Sequence, residues 1–268
     1  MSIRLINRDD RGPVAVFTLD RPLQRNALSR ALLAQLRDGI DKVSVDEKIR
    51  AVVLTGAGVA FCTGMDLKEA AAMDAAADAE AQTIATLEEF ADLLQRLHAL
   101  PKPTVAAVNG DALAGGAGLM MACDLAIAAE TARIGYPEVK RGLVAAIIMH
   151  DLTRQVGDRR ARELLLGGEP ISSKVAHDWG LVNRVTPNDA CLHEAIVVAE
   201  ELAQSGPKAL ALTKRLLDEA AGRPHDLRGA AAVSGSVRLS PEAQEGIRAF
   251  VEKRWPAWAW SRAEEGAP

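Results

Sequence analysis

Two glycine-containing turns carry the groups best suited to chemistry in this sequence. The first covers residues 56–69 (GAGVAFCTGMDLKE) and the second residues 109–118 (NGDALAGGAG). Each follows an apolar, strand-like run and leads into a helical one. Glycine lets a backbone approach a ligand closely and adopt a positive φ. A helix start offers unpaired N–H groups and a dipole that favours negative charge. Two such donors meeting at one point would form an oxyanion hole, which stabilises an enolate or alkoxide.

Other chemistries fail on spacing. Gly56 and Gly58 begin a dinucleotide fingerprint, but Phe61 stands where its third glycine is needed. Gly110 and Gly115 have P-loop spacing, yet Gly116 and Ala117 replace the lysine and hydroxyl that hold phosphate and metal. His193-Glu194 lacks a second histidine at metalloprotease spacing, and the five histidines and three cysteines form no close pairs, so no metal site is expected. No serine sits in a G-x-S-x-G elbow.

The elements that must position the two turns follow from hydrophobic pattern. Val14–Leu19, 51–55, Thr104–Val108 and 124–129 read as strands: short, rich in Val and Ala, and bounded by Gly, Pro or Asp. Ser29 is placed to cap a helix with Leu32, Leu33, Leu36 and Ile40 on one face. A second helix is expected over 79–100, with Ile84, Leu87, Phe90, Leu94 and Leu97 as its stripe, and Pro101 and Pro103 end it. Alternating strands and helices mean an α/β fold. Further on the pattern is helical, with candidates at 191–204, Pro207–Ala221 and 241–253, and residues 223–240 read as a loop. The expected division is therefore an α/β core over 1–195 and a helical region over 196–268.

The chain has 268 residues, a net charge of −4, 49% hydrophobic residues and only 3% aromatic ones. That is globular composition. It gives neither the basic patch nor the stacking surface of a nucleic-acid binder. No apolar run of about 18 residues is present, so no membrane partner is expected. The first twenty residues lack the apolar centre of a signal peptide. Three sparse cysteines make no disulfide framework. A cytoplasmic protein is expected.

Taken in order, several motifs resemble the enoyl-CoA hydratase/isomerase (crotonase) superfamily. They are DRPLQRNAL (20–28), VLTGAG (53–58), FCTGMDLK (61–68), PKPTVAAVNG (101–110), AGGAG (114–118), MACD (121–124), Pro137-Glu138 and WGLV (179–182). The resemblance implies a spiral of ββα units with a helical C-terminal trimerisation region, assembled as a homotrimer or a hexamer. It implies a coenzyme A thioester as substrate, with no separate cofactor. The thioester carbonyl would lie between the backbone N–H groups of Met65 and Gly115. Glu138 would be the acid/base. Asp66, Leu67 and Lys68 fall where the family holds the CoA nucleotide, and Arg25 and Asn26 lie in the loop bordering pantetheine and adenine.

The sequence departs from the family at two places. Hydratases of the family usually carry a second glutamate on the helix after the second glycine turn, and Gly118 stands there instead. Asp111, His150 and Asp151 are the candidates to replace it, by proximity in sequence alone. The stretch GLVAAIIMHD (142–151) also replaces a glycine-rich run, a variant that resembles bacterial methylglutaconyl-CoA hydratase-like members. The expected function is hydration of an α,β-unsaturated acyl-CoA, with a branched one such as methylglutaconyl-CoA as a candidate. The alternatives are an enoyl-CoA isomerase working with one glutamate, and a non-catalytic acyl-CoA binder.

Overall fold

The computed structural model describes residues 3–73 and 79–221, together with 241, 242, 245, 249, 252 and 254–258. Its frame is a six-stranded sheet in the order β1-β2-β3-β5-β7-β10, formed by β1 (Ile6–Arg11), β2 (Val14–Leu19), β3 (Ala51–Gly56), β5 (Thr104–Val108), β7 (Leu125–Ala129) and β10 (Arg184–Thr186). The β1–β2 hairpin is antiparallel, and every other pairing in this sheet is parallel. Residues of β3 and β5 are buried throughout, as strands covered on both faces must be. That explains why they read as continuous apolar runs rather than alternating ones.

A second sheet holds four very short strands in the order β4-β6-β8-β9: β4 (Ala60–Cys62), β6 (Asp111–Leu113), β8 (Arg133–Gly135) and β9 (Ile171–Ser172). The chain therefore repeats one unit three times: a long strand in the first sheet, a short one in the second, then helical structure. After β3 and β4 come α2 (Leu67–Met73) and α3 (Ala79–His98). After β5 and β6 comes α4 (Gly115–Ala122). After β7 and β8 come a 3-10 turn (Pro137–Arg141), α5 (Ala146–Val156), α6 (Asp158–Gly167) and α7 (Ser173–Asp178). This is the ββα spiral.

The helix α1 (Arg30–Val45) begins as expected: the Ser29 hydroxyl accepts from the Leu32 N–H, and Leu32, Leu33, Leu36 and Ile40 are buried. On α3 the stripe holds only in its second half. Phe90 and Leu97 are buried with Leu93, while Ile84 and Leu87 are exposed. Helix α8 (Cys191–Ala203) packs its buried face on β3, β5 and β7. A division at residue 195 would cut this helix in two, so the core extends through Ala203. Helix α9 (Pro207–Ala221) buries no residue. It is fastened by polar groups: Glu242 accepts from the N–H groups of Lys208 and Ala209, and Lys214 pairs with Asp124 at 2.7 Å. Of the expected helix at 241–253, the described residues Pro241, Glu242, Glu245, Ala249 and Glu252 are helical. The expected loop at 223–240 lies outside the described residues. No described helix is long and apolar enough to cross a membrane.

Candidate active site

Strands β4 and β6 are parallel neighbours, with Ala60 opposite Asp111 and Cys62 opposite Ala112. Their following turns therefore leave the sheet side by side. Glycine at 64 and 116 lets these turns touch. A Cβ on Gly64, whose φ is +87°, would lie 3.1 Å from the Gly115 nitrogen and 2.7 Å from the Ala114 Cβ. One on Gly116 would lie 2.1 Å from the Cys62 carbonyl oxygen.

Each turn presents one N–H group without an acceptor among the described residues. Met65 forms a parallel bridge with Leu28, in which Leu28 N–H donates to the Gly64 carbonyl (2.8 Å) and Asp66 N–H donates to the Leu28 carbonyl (3.0 Å). Those bonds use the residues flanking Met65 and leave its own N–H turned away. Gly115 is the first residue of α4, where an N–H has no intrahelical acceptor. Ala114 has φ 51° and ψ −127°, a conformation costly for any residue with a Cβ. Its N–H donates to Gly135 (2.8 Å) and its carbonyl accepts from Gly118 (3.1 Å), and these bonds hold the strained residue in place. The ψ of Ala114 sets which way the Gly115 N–H points. Two unpaired donors on touching turns, one at a helix start, form a site for developing negative charge on oxygen.

Glu138 lies in the 3-10 turn that follows β8, behind Pro137 at its first position and before Gly142 in the left-handed conformation. Its Oε2 atom is buried and has no hydrogen-bond partner among the described residues. Burial pushes the Glu138 carboxyl above the usual carboxylate range, and its own backbone N–H and Arg141 counter this only in part. An unpaired buried carboxyl is costly unless a ligand completes it, so Glu138 has the character of an acid/base. Below it, the fully buried Tyr136 donates its hydroxyl to the Met121 sulfur.

A Cβ at Gly118 would meet Ile148 at 3.0 Å, Phe90 at 3.5 Å and Leu94 at 3.7 Å. The wall that the second glutamate would occupy is therefore apolar. None of the three candidate substitutes is hydrogen-bonded to Glu138. Asp111 is buried and bound by Arg25 (2.6 Å) and by Nε and Nη2 of Arg133 (3.0 and 2.6 Å). Burial alone would raise its carboxyl, but the two arginines outweigh it and hold Asp111 below the usual range, which removes it as a proton partner. His150 and Asp151 are exposed on α5. Cys62 adjoins the site, but burial pushes its thiol up to about 12, so it supplies no thiolate.

The residues expected at the nucleotide divide into two groups. Asn26 is fully buried at φ 57°, its Nδ2 donating to the carbonyls of Ala57, Ala60 and Phe61 while its Oδ1 accepts from Arg21 N–H. The side chain is consumed inside the fold, so the expected ligand contact is corrected to a positioning role: Asn26 ties the 20–28 loop to the turn before β4. Asp66 is also engaged, pairing with Arg21 at 2.8 Å and accepting from the N–H groups of Lys68 and Glu69. Burial would raise its carboxyl, but Arg21 and these amides hold it below the usual range. Arg25 is half exposed, and Leu67 and Lys68 are exposed at the start of α2. Sequence reading missed Arg21 and Arg133, because neither stands in a motif that marks an ion pair. Asn26→Ala is expected to destabilise the protein by about 2–4 kcal/mol, since it orphans buried backbone groups and leaves Ala at a positive φ. Urea unfolding would measure this loss.

Gly118 also lines a cavity of about 670 Å³ walled by α3, α4, α5 and α9. Leu94, Gly118, Met121 and Ile148 line it close to the site. It is also lined by the ion pair Lys214–Asp124 (2.7 Å), by the hydrogen-bonded His98 and Asp218 (2.8 Å), and by Arg154 and Asp151. Among the described residues, no group of three or more His, Cys, Asp or Glu could hold a metal ion.

Two N–H donors on touching turns of a ββα spiral suit acyl-thioester chemistry, and comparison with known proteins identifies the family. The family model described as enoyl-CoA hydratase/isomerase matches residues 9–261. The chain is 43% identical over 251 residues to a Thermus thermophilus protein provisionally named an enoyl-CoA hydratase, covering 92% of this chain and 98% of that one. It is 36% identical over 264 residues to the 2,3-dehydroadipyl-CoA hydratase of Escherichia coli, covering 96% and 98%. The crystal structure of an enoyl-CoA hydratase from Bacillus anthracis superposes with a TM-score of 0.88 at 35% identity, covering 96% of this chain and 99% of that one. The chain belongs to the enoyl-CoA hydratase/isomerase family.

Proposed function

We propose that this protein hydrates a 2-enoyl-CoA thioester. The observation that carries this reading is the pair of N–H groups, Met65 and Gly115, that have no acceptor among the described residues, together with Glu138, whose Oε2 atom has no partner among them. The thioester oxygen accepts both N–H bonds, which draws electron density from the β-carbon. The Glu138 carboxylate takes a proton from water as the water oxygen bonds to that carbon. The resulting enolate is held by the two donors, and the same proton returns from Glu138 to the α-carbon. A carboxyl raised toward neutral pH suits both halves of this transfer. No step calls on a separate cofactor.

Leu67, Lys68 and Arg25 are the described groups placed to meet the CoA handle. Polar or branched acyl groups have precedent among similar proteins, since 36% identical relatives are named for 2,3-dehydroadipyl-CoA and, in Beauveria bassiana, for mevalonyl-CoA. Assembly as a homotrimer or a dimer of trimers gains support from exposed apolar residues over 139–149, where Leu143 is 48% and Val144 74% exposed. Three buried free thiols suit a cytoplasmic setting.

The apolar wall at Gly118 favours one second reading, an isomerase in which Glu138 alone carries a proton between the α- and γ-carbons. Both reactions pass through the same enolate. Incubating the protein with a saturated acyl-CoA in D₂O tests that shared step. Deuterium entering the α-carbon is expected, and its absence would leave only an acyl-CoA binder. Met65→Ala is expected to keep kcat within about threefold while changing acyl-chain preference, because the donor is backbone. Steady-state kinetics on short and long acyl chains would check this, and a dead but folded variant would remove Met65 from the site.

A further inference from the structure

The cavity beyond Gly118 begins apolar and ends ionic, which bears on the acyl group of the proposed reaction. Gly118 stands one turn along α4 from the donor Gly115, and Phe90 bridges the two: its Cζ would lie 3.1 Å from a Cβ at 115 and 3.5 Å from one at 118. Gly118 and Ile148 both line this cavity, so it offers a path for an acyl chain whose carbonyl rests on Gly115.

The basic side chains lining the cavity are not equivalent. Lys214 donates to Asp124 (2.7 Å) and to the Lys102 carbonyl (3.0 Å). His98 is bonded to Asp218 at 2.8 Å. Arg154 makes no hydrogen bond among the described residues, and its nearest carboxylate is Asp151, three residues back on α5 at 4.0 Å. That separation is too long for a hydrogen bond. Arg154 lies ~9 Å along α5 from Ile148. Seven residues after Ile147, Arg154 falls on the same face of α5, and both line the cavity. A guanidinium with unspent donors is shaped to take a carboxylate through two parallel bonds.

We propose that Arg154 reads a carboxylate at the distal end of the acyl chain, so that the preferred substrates are enoyl-CoA thioesters of dicarboxylic acids. This rests on the acyl-CoA reading above. Asp151, the other charge at that spot, competes with the substrate carboxylate for the guanidinium. The two residues are thereby given effects of opposite sign, which a merely structural ion pair would not show.

The test compares a six-carbon 2-enoyl-CoA ending in a carboxylate with its methyl-ended counterpart. The wild type is expected to favour the carboxylate substrate in kcat/KM by roughly tenfold or more, as a charge-assisted contact implies. Arg154→Gln should bring the ratio close to one, Arg154→Lys should keep part of it, and Asp151→Asn should raise it. Calorimetric binding of the two saturated six-carbon CoA esters reads the same preference without turnover. A binding preference with no hydration would sink the hydratase reading and leave this proposal standing. Equal binding of the two esters by the wild type, or a preference untouched by Arg154→Gln, would overturn it.

Discussion

Replacing Glu138 by Gln is expected to lower kcat by about 10²–10⁴-fold, the range of a positioned acid/base, while CoA-ester affinity changes little. Gln keeps the shape and the polar atoms but can neither take up water's proton nor return it to the α-carbon. The variant carries a second signature in stability. Burial raises the folded-state pKa of Glu138 above its unfolded value, so the folded protein holds that proton to higher pH. Ionising the buried carboxyl then costs folding free energy, and wild-type stability falls as pH rises from the unfolded pKa through the raised one. Glu138→Gln lacks this loss. Its melting temperature should exceed that of the wild type at neutral pH and converge with it below the normal carboxylate range. Activity of the wild type should fall on acidification through the same raised pKa, because the carboxylate form accepts the proton. An unchanged kcat would remove Glu138 from the chemistry, and lost CoA-ester binding would make its role structural.

Gly116→Ala is expected to have the next largest effect. The added methyl would sit 2.1 Å from the Cys62 oxygen and 2.6 Å from its carbonyl carbon, both rigid backbone atoms. The two turns must separate, and the Gly115 N–H then leaves the point it shares with Met65. Loss of one such donor costs about 10²–10³ in kcat where it has been measured. Overpacking of this kind also destabilises by about 1–3 kcal/mol. The expected result is a folded protein with a lowered melting temperature and at most about one hundredth of wild-type kcat. Calorimetry and steady-state kinetics on one preparation would check both, and wild-type turnover would show that the spacing of the turns does not matter.

These two residues differ in how visible they were. Glu138 was found because Pro137-Glu138 recurs in a family pattern. The need for glycine at 116 comes from a strand pairing, Cys62 with Ala112, that no local pattern reports. The same contrast runs through the fold. Val14–Leu19, Thr104–Val108 and Pro207–Ala221 were legible to the residue, because apolar runs, Pro and a glycine break mark their ends. Strand β1 was not, because INRDDR is charged and lies at a sheet edge where only Ile6 is buried. The second sheet was invisible as well: its strands have two or three residues, too few for any periodicity. Asn26 was read as a ligand contact because it lies in a family motif. Its four bonds to backbone show that a recurring polar residue beside a site can serve the loop that builds it. On α3, Ile84 and Leu87 continue the apolar stripe of the buried half yet stay exposed, since periodicity marks a face and not what covers it.

One carboxylate, with two backbone donors, is expected to add water to an enoyl thioester although Gly118 stands in place of the usual second glutamate. The most direct measurement is to incubate the protein with crotonyl-CoA in H₂¹⁸O and determine the product by mass spectrometry. The expected product is 3-hydroxybutyryl-CoA with ¹⁸O on the β-carbon, formed by the wild type and nearly absent with Glu138→Gln. Migration of the double bond in a 3-enoyl-CoA, with no ¹⁸O entering either substrate, would contradict it and make the protein an isomerase.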